Sequence, residues 1–184
     1  MENIEYKIAT LAGGCFWCTE AVFERVEGVA KVIPGFTGGQ IKNPAYREII
    51  SGRTGHAEAI EVHFDPNVIS YKELLLIFFS THDPTTLNRQ QYDKGTQYRS
   101  AIFYHSEDQE IDALEIVSRL GEEKVFIDPI VTEITEASAF YEAEVEHKEY
   151  YTNHRQQQYC QVIIDPKIKK LQQLFADKLK KAKI

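Results

Sequence analysis

Two cysteines three residues apart stand in the string Gly13-Gly14-Cys15-Phe16-Trp17-Cys18-Thr19-Glu20, and a third, Cys160, follows far downstream in Gln158-Tyr159-Cys160-Gln161. A thiol reacts as its thiolate. Where a strand hands over to a helix, a sulfur faces unpaired backbone N–H groups and the positive end of the helix dipole. That setting brings a thiol pKa from about 8.5 into the range of roughly 3.5–7.5, so Cys15 is the expected nucleophile. The two glycines before it let a substrate approach the backbone closely. Phe16 and Trp17 are expected to wall an apolar pocket suited to a thioether or methyl group, since sulfur packs well against aromatic edges. An isolated Phe-Trp pair would instead read as core.

Cys15 and Cys18 also spell C-x-x-C. In a strand-to-helix turn that spacing suits a thioredoxin-like dithiol, and with Cys160 and His154 it suits zinc. A structural zinc site usually has two close pairs, and only His154 stands near Cys160. The bulky Phe-Trp insert is unlike common redox motifs. A general thiol-disulfide oxidoreductase would not need Cys160, and a zinc module would hold stoichiometric metal without turnover. His56, His63, His105 and His147 show no ligand spacing and are expected to be structural or surface residues.

The elements that must position these residues are legible from hydrophobic period and punctuation. Tyr6 to Leu11 predicts a strand, Ala12-Gly13-Gly14 a turn, and Cys15 to Glu27 a helix stopped by Gly28. A strand from Val29 to Ile33 is expected to end at Pro34-Gly35, followed by an irregular stretch to about Gly55. Ala59 to Phe64 alternates as a half-buried strand does. Ser70 with Glu73 forms a capping box for a helix over Tyr71 to Ser80. A polar connection from Asp83 to Thr96 leads to a strand over Tyr98 to Tyr104. Ser106 with Gln109 caps a helix to Leu120, ended by Gly121, and Val131 to Thr135 predicts another strand. Beyond Phe140 the chain is polar and aromatic. His154 to Gln158 reads as a mobile connection ending at Cys160. Asp165-Pro166 opens a last amphipathic helix, with Ile168, Leu171, Leu174, Phe175 and Leu179 on one side and solvated lysines on the other. The order indicates an α/β (α+β) fold, a mixed β-sheet covered by helices.

The 184 residues suit one domain, and 43% hydrophobic with 27% charged residues is a globular balance. A formal net charge of −7 argues against a nucleic-acid partner, which calls for clustered Lys and Arg. Transmembrane runs are lacking and Met1 to Thr10 is too polar for a signal segment, so a soluble, cytoplasmic protein without a membrane partner is expected. Three cysteines are odd in number and too few for a disulfide scaffold, which points to reactive or metal-binding thiols.

The string Gly14 to Glu20, Asn43-Pro44-Ala45-Tyr46, Gly52 to Glu58, His82 to Gln90 and Asp93 to Ser100 together resemble, in order, the motifs of the A-class peptide methionine sulfoxide reductases. The resemblance implies a single reductase domain over residues 1–184, with a ferredoxin-like core and an irregular C-terminal segment. It implies oxidative-damage repair by reduction of methionine S-sulfoxide, free or in oxidised proteins. Cys15 would attack sulfur, Glu58 would protonate the departing oxygen, Tyr46 and Tyr98 would stabilise it, and Asp93 would orient substrate and an ordered water. Cys160 resembles the resolving cysteine carried in a flexible C-terminal segment, closing a Cys15–Cys160 disulfide reduced by thioredoxin. Cys18, which the core mechanism does not need, is expected to be a packed helix residue, with an auxiliary thiol as the alternative. Neither a cofactor nor a metal ion is expected.

Overall fold

The computed structural model describes residues 3–181; residues 1–2 and 182–184 of the expected domain lie outside the described residues. Strand β1 (Lys7–Gly13) is buried continuously from Ala9 onward rather than alternately, because chain covers both of its faces. Gly14, at φ +89°, turns it directly into helix α1 (Phe16–Phe23). The helix stops a turn earlier than its apolar spacing predicts. The cause is tertiary: Val26 bridges Leu179, Glu27 N–H donates to the Lys178 carbonyl at 2.7 Å, and Lys180 N–H donates to the Arg25 carbonyl at 2.9 Å. Pairing with the distant C-terminal segment replaces the last helical turn.

Strand β2 (Val29–Thr37) corrects a second boundary, since it runs straight through Pro34-Gly35. Pro34 loses a donor but still pairs opposite Ile60, and its carbonyl accepts from Ala143 N–H at 2.9 Å. Gly35 lies where another strand crosses closely: a Cβ there would sit 2.4 Å from the Tyr141 carbonyl oxygen and 2.5 Å from the Phe140 ring. These residues therefore mark close backbone approach, not a stop. Gly35→Ala should lower stability by about 1–3 kcal/mol through overpacking against backbone that cannot yield. A urea midpoint equal to wild type would show that the segment around Tyr141 can retreat.

The expected irregular stretch holds a short helix, α2 (Tyr46–Ile49), and strand β3 (Ala57–Phe64) follows. Helix α3 (Tyr71–Thr81) opens on the predicted capping box, with Ser70 Oγ accepting from Glu73 N–H at 3.1 Å and Glu73 Oε2 from Ser70 N–H at 2.8 Å. The polar connection contains a small hairpin, β4 (Arg89–Gln90) and β5 (Asp93–Lys94). Tyr98 closes a 3₁₀ turn ahead of strand β6 (Ser100–Tyr104) instead of starting the strand. Helix α4 (Glu107–Glu122) passes through Gly121, where a Cβ would meet nothing, so that glycine carries no stop signal. Strands β7 (Glu133–Glu136) and β8 (Tyr141–Glu142), helix α5 (Tyr150–Asn153), a π turn over Cys160–Ile164 and helix α6 (Asp165–Leu174) complete the chain.

The six-stranded sheet runs β7-β6-β1-β3-β2-β8, antiparallel throughout except for the parallel β6–β7 pair. Its inner four strands, with α1 after β1 and α3 after β3, form the βαββαβ arrangement of a ferredoxin-like core. The principal hydrophobic core lies between the sheet and the helices. On the other face Ala12, Ala57, Ala59 and Ala101 leave room for Phe103, covered by Ala137 and Phe140.

Two expectations about the C-terminal part are corrected. The segment 154–158 is tied down rather than mobile: the His154 ring stacks on Tyr150 at 4.0 Å, and Gln157 Oε1 accepts from the Tyr150 hydroxyl at 2.6 Å. The lysines of α6 are not all solvated. Lys167 is buried, and its Nζ donates to the Thr81 carbonyl at 2.9 Å, capping the C-terminal end of α3. Within α6, Ile168 and Leu171 reach the core while Leu174 is exposed. Among the described residues, no helix is long and apolar enough to cross a membrane.

Candidate active site

Cys15 is the N-cap of α1, held by the β1 turn at φ −56° and ψ 126°. Its carbonyl accepts from Cys18 N–H at 3.0 Å, which places the two side chains on one helical turn. The first free amide of the helix does not serve the sulfur. Phe16 N–H donates instead to Glu58 Oε1 at 3.2 Å. Glu58 reaches it from β3, where it pairs with Phe36 of β2.

This arrangement overturns the expected resting thiolate. Burial, a hydrogen bond with Cys18 and the neighbouring Glu58 together push the Cys15 thiol well above its ordinary value, and the Trp17 N–H only partly opposes them. Cys15 is 8% exposed, so the helix dipole is outweighed by desolvation. The hydrogen bond with Cys15 pulls Cys18 the other way, below the ordinary thiol value. Cys18 is therefore a partner of the nucleophile and not merely a packed helix residue.

Glu58 is 1% exposed, and its Oε2 is buried without a hydrogen-bond partner among the described residues. Burial raises its pKa to about 8; Asp93 and Cys18 add to the shift, and the Phe16 N–H reduces it. The carboxyl is protonated at neutral pH, with a free oxygen beside Cys15. Tyr46 opens α2 and Tyr98 closes the 3₁₀ turn, so both come from connections without hydrophobic period. Burial and then Glu58 push the Tyr46 phenol up to about 12 and the Tyr98 phenol well above its ordinary value, so both remain donors. Asp93 comes from β5 and accepts from the Tyr159 hydroxyl at 2.8 Å.

The aromatic pair divides. Phe16 is fully buried, with its ring against Phe36 and His147, each at 5.5 Å. Trp17 is half-buried, with Tyr150 stacked on it at 3.7 Å and 4° and Tyr159 against it edge-on at 5.8 Å. His147 joins these rings: its Nδ1 accepts from Trp17 Nε1 at 3.2 Å and its ring lies 4.3 Å from Tyr46. Burial lowers its pKa, in keeping with an accepting neutral ring.

Sequence reasoning missed Glu20, His147, Tyr150 and Tyr159. Glu20 carried a signal, a carboxylate on the first turns of an apolar helix. It is buried, its Oε1 accepts from Glu149 N–H at 2.8 Å, and burial raises it to about 8. It thereby fixes the left-handed Glu149, at φ +50°, that delivers Tyr150 onto Trp17. Tyr159 carried only its adjacency to Cys160.

Cys160 is the least accessible of the three thiols, fully buried at the start of the π turn instead of lying in a flexible tail. Burial raises its pKa, and Cys18 and Asp165 raise it further. His154 is committed to the Tyr150 carbonyl at 2.9 Å and does not join it. Among the described residues, no group of three or more His, Cys, Asp or Glu side chains is arranged to hold a metal ion.

The family described as peptide methionine sulfoxide reductase matches residues 7–179. The peptide methionine sulfoxide reductase MsrA of Deinococcus radiodurans is 56% identical over 172 residues, covering 94% of this chain and 84% of that protein. The reduced form of Mxr1 from Saccharomyces cerevisiae superposes with a TM-score of 0.78 at 34% identity, over 85% of this chain and 90% of that one. Mxr1 crystallised in complex with Trx2 superposes with a TM-score of 0.55 at 26% identity, over 81% of this chain and 87% of that one.

Proposed function

Since the chain belongs to the peptide methionine sulfoxide reductase family, an oxidoreductase family acting on methionine sulfoxide, we propose that Cys15 is its nucleophile and Glu58 its proton donor. The observation that carries this assignment is the buried Oε2 of Glu58, without a hydrogen-bond partner among the described residues, on a carboxyl that burial raises to about 8 and that holds the amide following the N-cap thiol.

The Cys15 sulfur bonds to the sulfoxide sulfur while Glu58 transfers its proton to the oxygen, a poor leaving group until protonated. The Tyr46 and Tyr98 phenols donate to that oxygen as its charge grows. The S–O bond of the substrate and the bond between its sulfur and Cys15 both break, the hydroxyl ends on Cys15 as a sulfenic acid, methionine leaves, and the Cys15 thiol proton restores Glu58. Substrate sulfur is reduced by two electrons and Cys15 sulfur is oxidised by two. A resting thiol suits this balance, because thiol plus sulfoxide gives sulfenic acid plus thioether with no proton left over. Trp17 lies along the methyl group, and Asp93, held by Tyr159, orients the substrate and a water.

The sulfenic acid is resolved to a disulfide, escaping overoxidation, and the oxidation ends at Cys160. A thioredoxin-type dithiol then restores the enzyme, as the Mxr1–Trx2 complex suggests for that relative. The substrate is the S epimer, free or in damaged proteins, and a reducing cytoplasmic setting suits the cycle. Dithiol-coupled turnover of the separate S and R epimers tests this reading. Turnover of S alone is expected; equal turnover of R, or turnover of protein disulfides but neither epimer, would replace it with the dithiol oxidoreductase reading.

A further inference from the structure

Resting on that reading, we propose that Glu20 is a positioning residue for the methyl pocket: from α1 it fixes Tyr150 on the Trp17 indole, and so sets a slot that admits a methyl group and resists a longer alkyl group.

Trp17 and Glu20 stand three residues apart on α1 and therefore share a face of the helix. The chain at 147–150 docks on that face by three contacts. His147 Nδ1 accepts from Trp17 Nε1 at 3.2 Å, Glu149 N–H donates to Glu20 Oε1 at 2.8 Å, and the Tyr150 ring lies on the Trp17 ring at 3.7 Å and 4°. Of the three, the Glu20 bond alone grips backbone, and it does so at the residue just before Tyr150. That backbone needs a grip. Glu149 holds φ +50° and ψ +35°, a left-handed conformation that a residue with a Cβ keeps only where its surroundings impose it. No side-chain hydrogen bond caps α5, and a helix of four residues is too short to hold its own geometry.

The place Glu20 occupies is otherwise apolar. It is 2% exposed, with Phe16, Ala21, Val22 and Phe23 of the same helix also buried. A carboxyl is costly to bury there unless it is hydrogen-bonded, and its bond goes to the corner that carries Tyr150. Burial raises it to about 8, so near neutrality it serves as a neutral acceptor that an amide can replace.

The grip reaches the substrate through the rings. The His154 ring packs on Tyr150 at 4.0 Å and 16°, so Trp17, Tyr150 and His154 form one continuous stack. A shift of Tyr150 moves the indole plane with it. A gap of about 0.5–1 Å already forfeits a quarter to a half of a dispersion contact, so a small displacement loosens the fit around a methyl group.

The test compares wild type with Glu20→Ala, Glu20→Asp and Glu20→Gln on the S epimers of methionine sulfoxide and of its S-ethyl homologue. Glu20→Ala should raise KM for methionine sulfoxide severalfold with kcat nearly unchanged, the pattern of lost uniform binding. Its methyl-over-ethyl preference in kcat/KM should fall below the roughly 10–200-fold that one methylene makes in an apolar pocket. Trp17 is the chain's one tryptophan, so its emission reports on the stack and should shift in the same protein. Glu20→Asp, shorter by one methylene, should change all three readouts in the same direction and carries the test if the alanine protein does not fold. Glu20→Gln keeps an acceptor for Glu149 N–H and should bring them back toward wild type. In a Tyr150→Leu background Glu20→Ala should add little, since both act on one contact. A folded Glu20→Ala or Glu20→Asp protein with wild-type KM, alkyl preference and emission would overturn the proposal. So would a fall in kcat alone, or an undiminished effect in the Tyr150→Leu background. Wild type inert toward both sulfoxides would instead overturn the reductase reading beneath it, and the emission shift would still be expected.

Discussion

Cys15→Ser should abolish reduction of methionine sulfoxide, with a loss on the order of 10⁵–10⁶ in kcat, the scale seen when a catalytic nucleophile is removed. A serine oxygen cannot take up the substrate oxygen as a sulfenic acid, so every later step is lost as well. The fold should survive, because the structural bonds at this position are made by backbone: the Cys15 carbonyl holds Cys18 N–H, and Phe16 N–H holds Glu58. Single-turnover methionine release together with a thermal melt separates the two contributions. Appreciable release from a folded Cys15→Ser protein would move the nucleophile to Cys18.

Glu58→Gln should lower kcat by about 10²–10⁴ with little change in KM, the usual range for a general acid. The amide retains volume and can still accept from Phe16 N–H, but it has no acidic proton to give. The pH dependence has a definite sign. With a pKa of about 8, Glu58 carries its proton through neutrality, so wild-type kcat/KM should be flat below that value and fall above it. The Glu58→Gln protein should lack this limb. The same shift affects stability: a carboxyl raised from 4.5 to about 8 on folding contributes fully below about pH 4.5, and its contribution is lost progressively as pH rises through 8. The substituted protein should therefore lose less stability than wild type on going from pH 6 to 9, the mark of a group held in a costly environment for its chemistry. A wild-type profile flat to pH 10 would remove Glu58 from the acid role.

Local signals determined much of the framework. The capping box at Ser70, the alternation through Phe64, the glycine turn before Cys15 and the cap at Ser106 each depend on residues within one turn or one pleat, and each recurs in the structure. The order of strands and helices sufficed for a mixed sheet covered by helices, whereas the ferredoxin-like core was what the family resemblance implied. Boundaries failed where a distant segment competed: α1 yielded its last turn to the chain around Leu179, and β2 continued through Pro34-Gly35 because β8 and β3 flank it.

The site shows the same division more sharply. The chemical type of Cys15, its place at a helix start and the order of the motifs around it are properties of the sequence. That burial raises the Cys15 thiol and the Glu58 carboxyl, that Cys18 follows one helical turn after the nucleophile, and that Cys160 is buried were decided by the tertiary structure. A residue's type and neighbours set its intrinsic chemistry, but its protonation depends on desolvation and on charges brought from elsewhere. Here those come from β3, from the β4–β5 hairpin and from the segment 145–160, between roughly forty and 145 residues from Cys15 in the chain. Only the packed sheet and helices bring them within reach of one sulfur.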